Sequence, residues 1–362
     1  MSTHKTTTFQ MKQRLLSCLV GIGLIATTAE AQLQRIVLQG TGAPQVFTNI
    51  NAAIAAAQPN DKVYFSGGTF TSPGGITIGI PLHFIGAGIH PDSTAVTSTT
   101  TINTGNGDVI FTTGASGSSF TGIRFAPSGY LQYGTSAADD DPTGMVFQRC
   151  EFPVRHYLGF SSPGASSSTL FDECVFHSFI WGYDGVSATF TRSIFDVGST
   201  AIINFDTGGL FVSHCVFLGE TQFDGNLNAV VENCIFTSTA ANGPLFQCNN
   251  ATVTNCLFSS PVPTTNSGLI SVANQLGVPA ASIFVNQTDG FYQYTDDLHL
   301  AVGSGGIGGA DDGTDIGLYG SGSPYKPGAV PFNPHFRSAT IAPATQPNGD
   351  LPVNIRVAAQ PN

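Results

Sequence analysis

The chain has 362 residues and a formal net charge of −11, and only 10 % of its residues are charged. Nucleic-acid phosphates are bound mainly through Lys and Arg, so this balance argues against a nucleic-acid partner. Glycine numbers 43 and phenylalanine 27, against a single tryptophan. This composition favours many short strands joined by tight turns.

The N-terminal segment has the three parts of a secretory signal. A basic start at residues 11–14 precedes an apolar stretch at residues 15–28, and Ala29-Glu30-Ala31 supplies a small-residue cleavage site. The apolar stretch is shorter than the about 20 residues that span a bilayer. We therefore expect a signal peptide over residues 1–31 (Met11 being an alternative start), export to the extracellular space or the cell surface, and no transmembrane segment.

A short capping helix is predicted next, over residues 47–58. Its apolar residues recur at helical spacing, and Pro59 ends it before a predicted strand at residues 62–65. The end of a stacked coil exposes its core unless an element covers it, which gives this helix its role. Residues 76–86 and 99–112 are predicted to form early turns of the coil.

A six-residue phrase then recurs seven times. The phrase begins with a hydrophobic residue and two further residues, continues with a central Cys, Ile or Ser, and ends with one more residue and Phe. The central residues of successive copies lie 27, 24, 19, 22, 19 and 22 residues apart. Alternate side chains of a strand share a face, so the central residue and the Phe point the same way. The three-residue step before the centre requires a bend, and the residue preceding each centre is polar or glycine, as an outward corner requires. The copies are Phe120–Ile123–Phe125, Phe147–Cys150–Phe152, Phe171–Cys174–Phe176, Phe190–Ser193–Phe195, Val212–Cys215–Phe217, Val231–Cys234–Phe236 and Val253–Cys256–Phe258.

Repeats of this length are typical of solenoids, in which each unit buries its apolar side against the next. The stretches between copies lack a helical pattern long enough for helical crossovers, so strands and loops must form the coil. We predict an all-β fold: a single-stranded right-handed parallel β-helix over residues 32–320, with the short N-terminal capping helix. Its hand follows the usual crossover rule.

Beyond Phe258 the phrase weakens. Strands are predicted at residues 282–285 and 298–300, followed by a Gly-rich run at residues 303–320. Residues 321–362 form a Pro-rich tail with a last strand near residues 353–357. We expect the tail to be a C-terminal cap or a strip along the coil.

The phrases Val231–Phe236 and Val253–Phe258 resemble the repeat signature of the right-handed parallel β-helix proteins of the pectin-lyase-like superfamily. Residues 50–65 resemble its N-terminal cap and first strand, and residues 298–319 resemble the closing segment of exported bacterial β-helices. The resemblance covers about residues 40–320 and implies the fold. The superfamily includes polysaccharide lyases, glycoside hydrolases, esterases and adhesins, and the ordered catalytic motifs of its hydrolase branch and one lyase branch are absent here.

Six cysteines lie between Cys150 and Cys256, most of them at the centre of the phrase. Stacked coils would hold these side chains about 4.8 Å apart, farther than the about 3.8 Å between the Cβ atoms of a disulfide. We therefore favour a ladder of reduced, inward-facing thiols over disulfides. Cys248 is offset from this ladder.

Polar and aromatic residues follow the Phe of successive central repeats. Because the coils stack in register, we expect these residues to line one lateral face, where rings, carboxylates and an arginine would suit sugars. A lyase needs a base and a cation there, and a hydrolase needs two carboxylates; the same residue types also occur on the outside of any soluble β-helix. The catalytic candidates are Arg155, His156, His177, Asp184 and Asp196, and the substrate-binding candidates are Tyr157, Trp181, Tyr183, Asp206, Glu220 and Asp224.

The predicted function is therefore a carbohydrate-facing role, with a polysaccharide or cell-surface glycan as partner. Its more specific form is an enzyme, either a polysaccharide lyase or a glycoside hydrolase. The alternative is a non-catalytic adhesin or cell-surface structural protein. Asp139-Asp140-Asp141 offers oxygen ligands for Ca²⁺, but we prefer a solvated loop, so that no cofactor is expected. A monomer is expected.

Overall fold

Most of the chain winds into a coil whose successive turns stack as three long, mainly parallel sheets. The computed structural model describes residues 34–91, 94–160, 166–206, 209–220, 222–264, 268–287, 289–326, 335–342 and 344–358. The predicted signal peptide lies outside the described residues. The all-β parallel β-helix expected from the repeats is confirmed.

Each complete turn contributes one strand to each sheet, and sheet 1 has further strands at the two ends of the coil. Sheet 1 has twelve strands, in the order Gln45–Phe47, Ile36–Gln39, Lys62–Phe65, His83–Ile85, Ser119–Thr121, Met145–Gln148, Ser168–Asp172, Ser187–Thr191, Gly209–Ser213, Val230–Glu232, Thr252–Thr254 and Ile270–Val272. Sheet 2 has nine strands, Gly68–Ser72, Thr100–Thr104, Arg124–Phe125, Glu151–Phe152, Val175–Phe176, Ile194–Asp196, Val216–Leu218, Ile235–Phe236 and Leu257–Phe258. Sheet 3 has eight strands, Ile76–Ile78, Val109–Phe111, Leu131–Tyr133, His156–Tyr157, Ile180–Trp181, Ile202–Ile203, Phe223–Asp224 and Leu245–Phe246.

The N-terminal end is closed by the strand Ile36–Gln39, which pairs antiparallel with both of its neighbours, and by one α-helix, Ile50–Ala56. The Asn49 side chain caps this helix by accepting a hydrogen bond from the Ala52 amide at 3.0 Å. The helix is shorter than predicted because the backbone is already extended at Ala57. Its buried residues, Ile50 and Ala53, face the core.

The repeated phrase crosses the corner between sheets 1 and 2. The residue before each centre has a left-handed backbone, with φ between +44° and +67°, which supplies the predicted bend. Asn and Gly adopt this conformation readily, whereas Arg, Glu and His adopt it at a cost of about 1–2 kcal/mol. These corner residues are Gly122, Arg149, Glu173, Arg192, His214, Asn233 and Asn255.

Two ladders of phenylalanine rings fill the coil. Phe84, Phe120, Phe147, Phe171 and Phe190 stack beneath sheet 1 with ring centroids 4.8–5.2 Å apart. The second ladder stacks beneath sheet 2 at 4.4–5.7 Å and holds Phe125, Phe152, Phe176, Phe195, Phe217, Phe236 and Phe258. The predicted internal columns are confirmed, since all these rings are buried.

The central cysteines form a third internal column. All six cysteines of the described residues are buried thiols that form no disulfide. The Cys234 sulfur accepts a hydrogen bond from the Cys215 amide at 3.4 Å, and its single proton faces the Glu232 carbonyl at 3.1 Å and the Val212 carbonyl at 3.7 Å. Ser193 takes the same place in its own turn and accepts from the Cys174 amide at 3.1 Å. The column thus satisfies backbone groups that the corner leaves without a sheet partner.

Residues 283–287 and 289–325, which we call the covering segment, lie over the outer face of sheet 2. They include the antiparallel strands Phe284–Asn286 and Asp297–Leu300, at the two positions where strands were predicted. A second apolar cluster joins Val216 and Ile235 of sheet 2 to Ile316 and Leu318. Gly317 (φ +91°) packs closely on Ile235, since a Cβ at position 317 would lie only 2.6 Å from Cδ1 of Ile235.

The covering segment changes one expectation about the corner. Arg149, Glu173, His214 and Asn233 point away from the core, as predicted, but they are buried rather than solvated. The Asn233 side chain exchanges two hydrogen bonds with Asp311, at 2.7 and 3.1 Å. The corner is therefore an interface within the chain.

The tail contains a separate antiparallel hairpin, His335–Ile341 with Val353–Ala358, whose second strand was predicted. Residues 351–357 are exposed, and the expectation that the tail is a cap or a strip along the coil stays a prediction. Short 3₁₀ helices lie at Thr113–Ala115 and Ala280–Ser282. Within the described ranges, no helix has the length and apolar character that crossing a bilayer requires.

Candidate functional site

The outer face of sheet 3 carries aromatic residues in neighbouring turns. Tyr157 and Trp181 are paired in the strand register, with ring centroids 6.4 Å apart. Their column continues through Ile203 and Asp224 to Phe246. Each of these side chains is half-buried or exposed, because the strand alternation directs them away from the core.

A second row lies beside the first, two residues earlier in each turn. The Arg155 guanidinium lies over the Phe179 ring at 4.9 Å and over the Tyr130 ring at 5.8 Å from the centroid. Tyr130 and Phe179 also make edge contacts with Tyr157, at 5.3 and 5.9 Å. We call Tyr130, Arg155, Tyr157, Phe179 and Trp181 the aromatic face.

The aromatic face is a preassembled surface. Its rings are held by contacts with one another and by the sheet beneath, so little side-chain entropy is lost when a ligand binds. The C–H groups on one side of a pyranose ring can pack on such rings while its hydroxyls reach polar neighbours. Arg155 adds a cation whose position is fixed by stacking.

His156 does not join this face, which corrects the expectation that it lies beside Arg155 and Tyr157. It occupies the inward column between Leu131 and Ile180 and is fully buried. Its ring packs against phenylalanines, including Phe147 at 5.6 Å, and neither ring nitrogen has a hydrogen-bond partner among the described residues. Burial lowers the pKa of His156 to about 3, so its ring is neutral at physiological pH and serves as part of the core.

His177 and Asp196 also lie elsewhere, at the end of the sheet 2 strands. His177 Nδ1 lies 2.9 Å from Asp196 Oδ2, and His177 Nε2 lies 3.3 Å from Glu151 Oε1. Arg124 Nε contacts the same Glu151 oxygen at 3.1 Å, and the hydroxyl of Tyr294, from the covering segment, donates to Glu151 Oε2 at 3.0 Å. We call these five residues the charged cluster.

The contacts of the charged cluster favour the charged forms of both His177 and Glu151. Burial alone would lower the pKa of His177, but hydrogen bonds to Asp196 and Glu151 outweigh it and raise the pKa to about 9. Burial would raise the pKa of Glu151, but His177 and Arg124 lower it overall. At neutral pH His177 is therefore protonated between two carboxylates, so it cannot accept a proton as a general base.

The remaining predicted residues are distributed around sheet 3. Asp224 lies on its outer column, and burial raises the pKa of the Asp224 carboxyl. Asp184 and Asp206 follow their sheet 3 strands and are half-buried, while Tyr183 packs partly against the core. Glu220 is exposed in the turn that leads from sheet 2 to sheet 3.

Sequence reasoning missed Tyr130 and Phe179 on the aromatic face, and Arg124, Glu151 and Tyr294 in the charged cluster. Phe179 could have been found, since it follows Phe176 by three residues, as Arg155 follows Phe152. Arg124 and Glu151 each precede the Phe of a repeat and so share one column. No local signal connects Tyr294 with Glu151, because the two are 143 residues apart.

The aspartates of the loop at residues 139–141, for which Ca²⁺ was the alternative to a solvated loop, accept hydrogen bonds from nearby backbone amides. The Asp139 carboxylate accepts bonds from the Thr135 and Ser136 amides, both at 2.8 Å, and Asp140 Oδ2 accepts one from the Phe160 amide at 2.8 Å. Among the residues that the structure describes, no three or more His, Cys, Asp or Glu side chains converge as metal ligands would. The preference for a solvated loop over calcium binding stays a prediction.

No protein-family model matches the chain, and no curated protein matches its sequence. What the structure shows is a parallel β-solenoid of about nine turns, with one aromatic outer face and one covered outer face.

Proposed function

We propose that this protein is an exported glycan-binding β-helix of the pectin-lyase-like type, and that the aromatic face holds a polysaccharide or cell-surface glycan. The observation that carries the proposal is the two-row array of Tyr130, Arg155, Tyr157, Phe179 and Trp181 on an uncovered sheet face. Contiguous aromatic surface on a soluble protein commonly marks an interaction site.

The positions of the predicted catalytic residues favour binding over lyase chemistry. A lyase would need a base and a cation close to one sugar ring. Arg155 lies on the aromatic face, His156 lies in the core and His177 lies in the charged cluster, so none of these histidines pairs with Arg155. Binding without cleavage corresponds to the adhesin alternative.

A glycoside hydrolase is the second candidate, and Asp224 is the residue that supports it. Burial raises the pKa of this carboxyl, as a general acid requires, and Asp224 shares a column with Trp181 and Tyr157. A hydrolase would release reducing ends from a bound polysaccharide, and Asp224→Asn would abolish that release without weakening binding.

The proposal is tested by measuring binding of the purified protein to a panel of neutral and acidic polysaccharides by affinity electrophoresis. For the ligand that binds, we expect Tyr157→Ala with Trp181→Ala to weaken binding at least about tenfold, which corresponds to about 1.4 kcal/mol. Phe246→Ala, at an exposed aromatic residue farther along the same sheet, is the matched control. Failure of every glycan to bind, or equal binding by the double variant, would overturn the proposal.

A further inference from the structure

A cleft of about 560 Å³ lies beside the corner between sheets 2 and 3, at the C-terminal part of the coil. Its lining includes Glu220, Thr237, Thr239, Phe284, Gln287 and Asp289. We infer that this cleft is a binding site for an uncharged pyranose sugar, separate from the aromatic face. We call it the Glu220 cleft, and the choice of a sugar as ligand rests on the proposed function.

The two walls of the Glu220 cleft are held in place by the fold. One wall consists of two stacked turns, because the register of Phe217 with Phe236 places residues 219–220 beside residues 238–239. The other wall is the start of the covering segment, where Phe284 pairs with Leu300 and is buried in the second apolar cluster. A site of this volume between fixed walls is within the ordinary range for small-molecule pockets.

The polar groups of the cleft are oriented in advance. The Asp289 carboxylate accepts hydrogen bonds from Gln287 Nε2 at 3.2 Å, from Gln293 Nε2 at 2.9 Å and from the Phe291 amide at 3.1 Å. The side-chain oxygen of Gln287, Oε1, in turn accepts a hydrogen bond from the Gly290 amide at 3.2 Å. These bonds fix the rotamers of both side chains, which lowers the entropic cost of binding.

Glu220 provides the free acceptor. It is exposed at the cleft and makes no hydrogen bond or ion pair with another described residue. Thr237 donates its hydroxyl proton to the Phe217 carbonyl at 3.3 Å and so presents its lone pairs as further acceptors. An array rich in acceptors fits a ligand rich in hydroxyl donors.

The charge of the lining selects among sugars. The described lining has two carboxylates, Glu220 and Asp289, and contains no Lys, Arg or His. A uronate would bring a third negative charge into this space without a cation to offset it, which is unfavourable. The Glu220 cleft should therefore take neutral pyranoses and reject acidic ones.

The test is titration of the protein with methyl glucoside, methyl galactoside, methyl mannoside and glucuronate, with binding measured by ligand-observed NMR. We expect a neutral methyl glycoside to bind in the millimolar range, and Glu220→Ala to weaken it at least about tenfold. Ala281→Trp, at an exposed position in the wall, should block the cleft. Glu232→Gln, a carboxylate change on sheet 1, is the control that should leave binding unchanged.

The outcomes separate this inference from the proposed function. Tyr157→Ala with Trp181→Ala should weaken polysaccharide binding at least about tenfold while the neutral monosaccharide still binds in the cleft. The inference is overturned if Glu220→Ala and Ala281→Trp bind the neutral glycoside as the wild type does, or if glucuronate binds at least as tightly. Loss of polysaccharide binding alone would bear only on the aromatic face.

Discussion

Sheets 2 and 3 are built from the same turns, and yet the outer face of sheet 2 is covered by protein while that of sheet 3 is not. The outer column of sheet 2 is apolar in its C-terminal half, at Val175, Ile194, Val216, Ile235 and Leu257, and every one of these side chains is buried. The corresponding column of sheet 3 carries Tyr157 and Trp181 and is half-buried or exposed. The covering segment lies on the outer column of sheet 2 and not on that of sheet 3.

The difference shows how one coil supports two roles. The inward residues of each turn follow one pattern and hold the coil together. The outward residues decide whether a sheet binds the protein's own C-terminal region or remains free for a ligand. Burial of sheet 2 accordingly predicts stability effects there, whereas changes on sheet 3 should act mainly on binding.

The largest contrast is expected between an inward and an outward aromatic residue. Phe171 stacks between Phe147 and Phe190 at 5.2 and 4.9 Å, and Phe171→Ala should lower the free energy of unfolding by about 3–5 kcal/mol. Trp181→Ala, on the aromatic face, should lower it by less than about 1 kcal/mol. Urea denaturation measures both, and equal losses would refute the division into a structural interior and a binding exterior.

A somewhat smaller effect is expected at the covered corner. Arg149 Nε lies 2.8 Å from Glu173 Oε2, and both residues are buried. Glu173→Ala leaves the Arg149 cation without this partner and should cost about 3 kcal/mol, whereas Arg149→Met with Glu173→Leu should recover most of the loss. If Glu173→Ala unfolds at the same urea concentration as the wild type, the corner is not sealed by the covering segment.

The charged cluster predicts a pH dependence. Since hydrogen bonds to Asp196 and Glu151 outweigh burial and raise the pKa of His177 from 6.5 to about 9, its stabilisation is complete below pH 6.5 and is lost as the pH rises through 9. The free energy of unfolding should fall by on the order of 2 kcal/mol across this window. His177→Gln should remove this slope, and a slope unchanged in the variant would show that another group produces it.

The smallest effect is expected in the cysteine column. Cys234→Ala removes the acceptor of the Cys215 amide and the thiol proton shared by the Glu232 and Val212 carbonyls, which should cost about 1–2 kcal/mol. Cys234→Ser should cost less, because Ser193 already makes the equivalent bond at its own turn. Thermal unfolding compares the two variants, and an alanine variant as stable as the serine variant would contradict the role of the thiol.

The elements that could be predicted are those that depend on local, repeated patterns. The central residue and the Phe of each phrase must share a face because a strand alternates its side chains. This rule placed Phe152, Phe176 and Cys174 inside correctly. The same alternation would also have placed His156 inside, because it stands between Arg155 and Tyr157; its imidazole, a common catalytic group, suggested an outer position instead.

The sequence by itself determined the coil, its corners and its internal columns, since each follows from spacing within about one turn. Only the tertiary structure decided which outer faces are covered, because burial there depends on a segment far along the chain. Glu151 meets Tyr294 across 143 residues, and Asn233 meets Asp311 across 78. Contacts between residues so far apart produce no periodic pattern in the sequence. They determine that sheet 2 is covered and that the aromatic face is not.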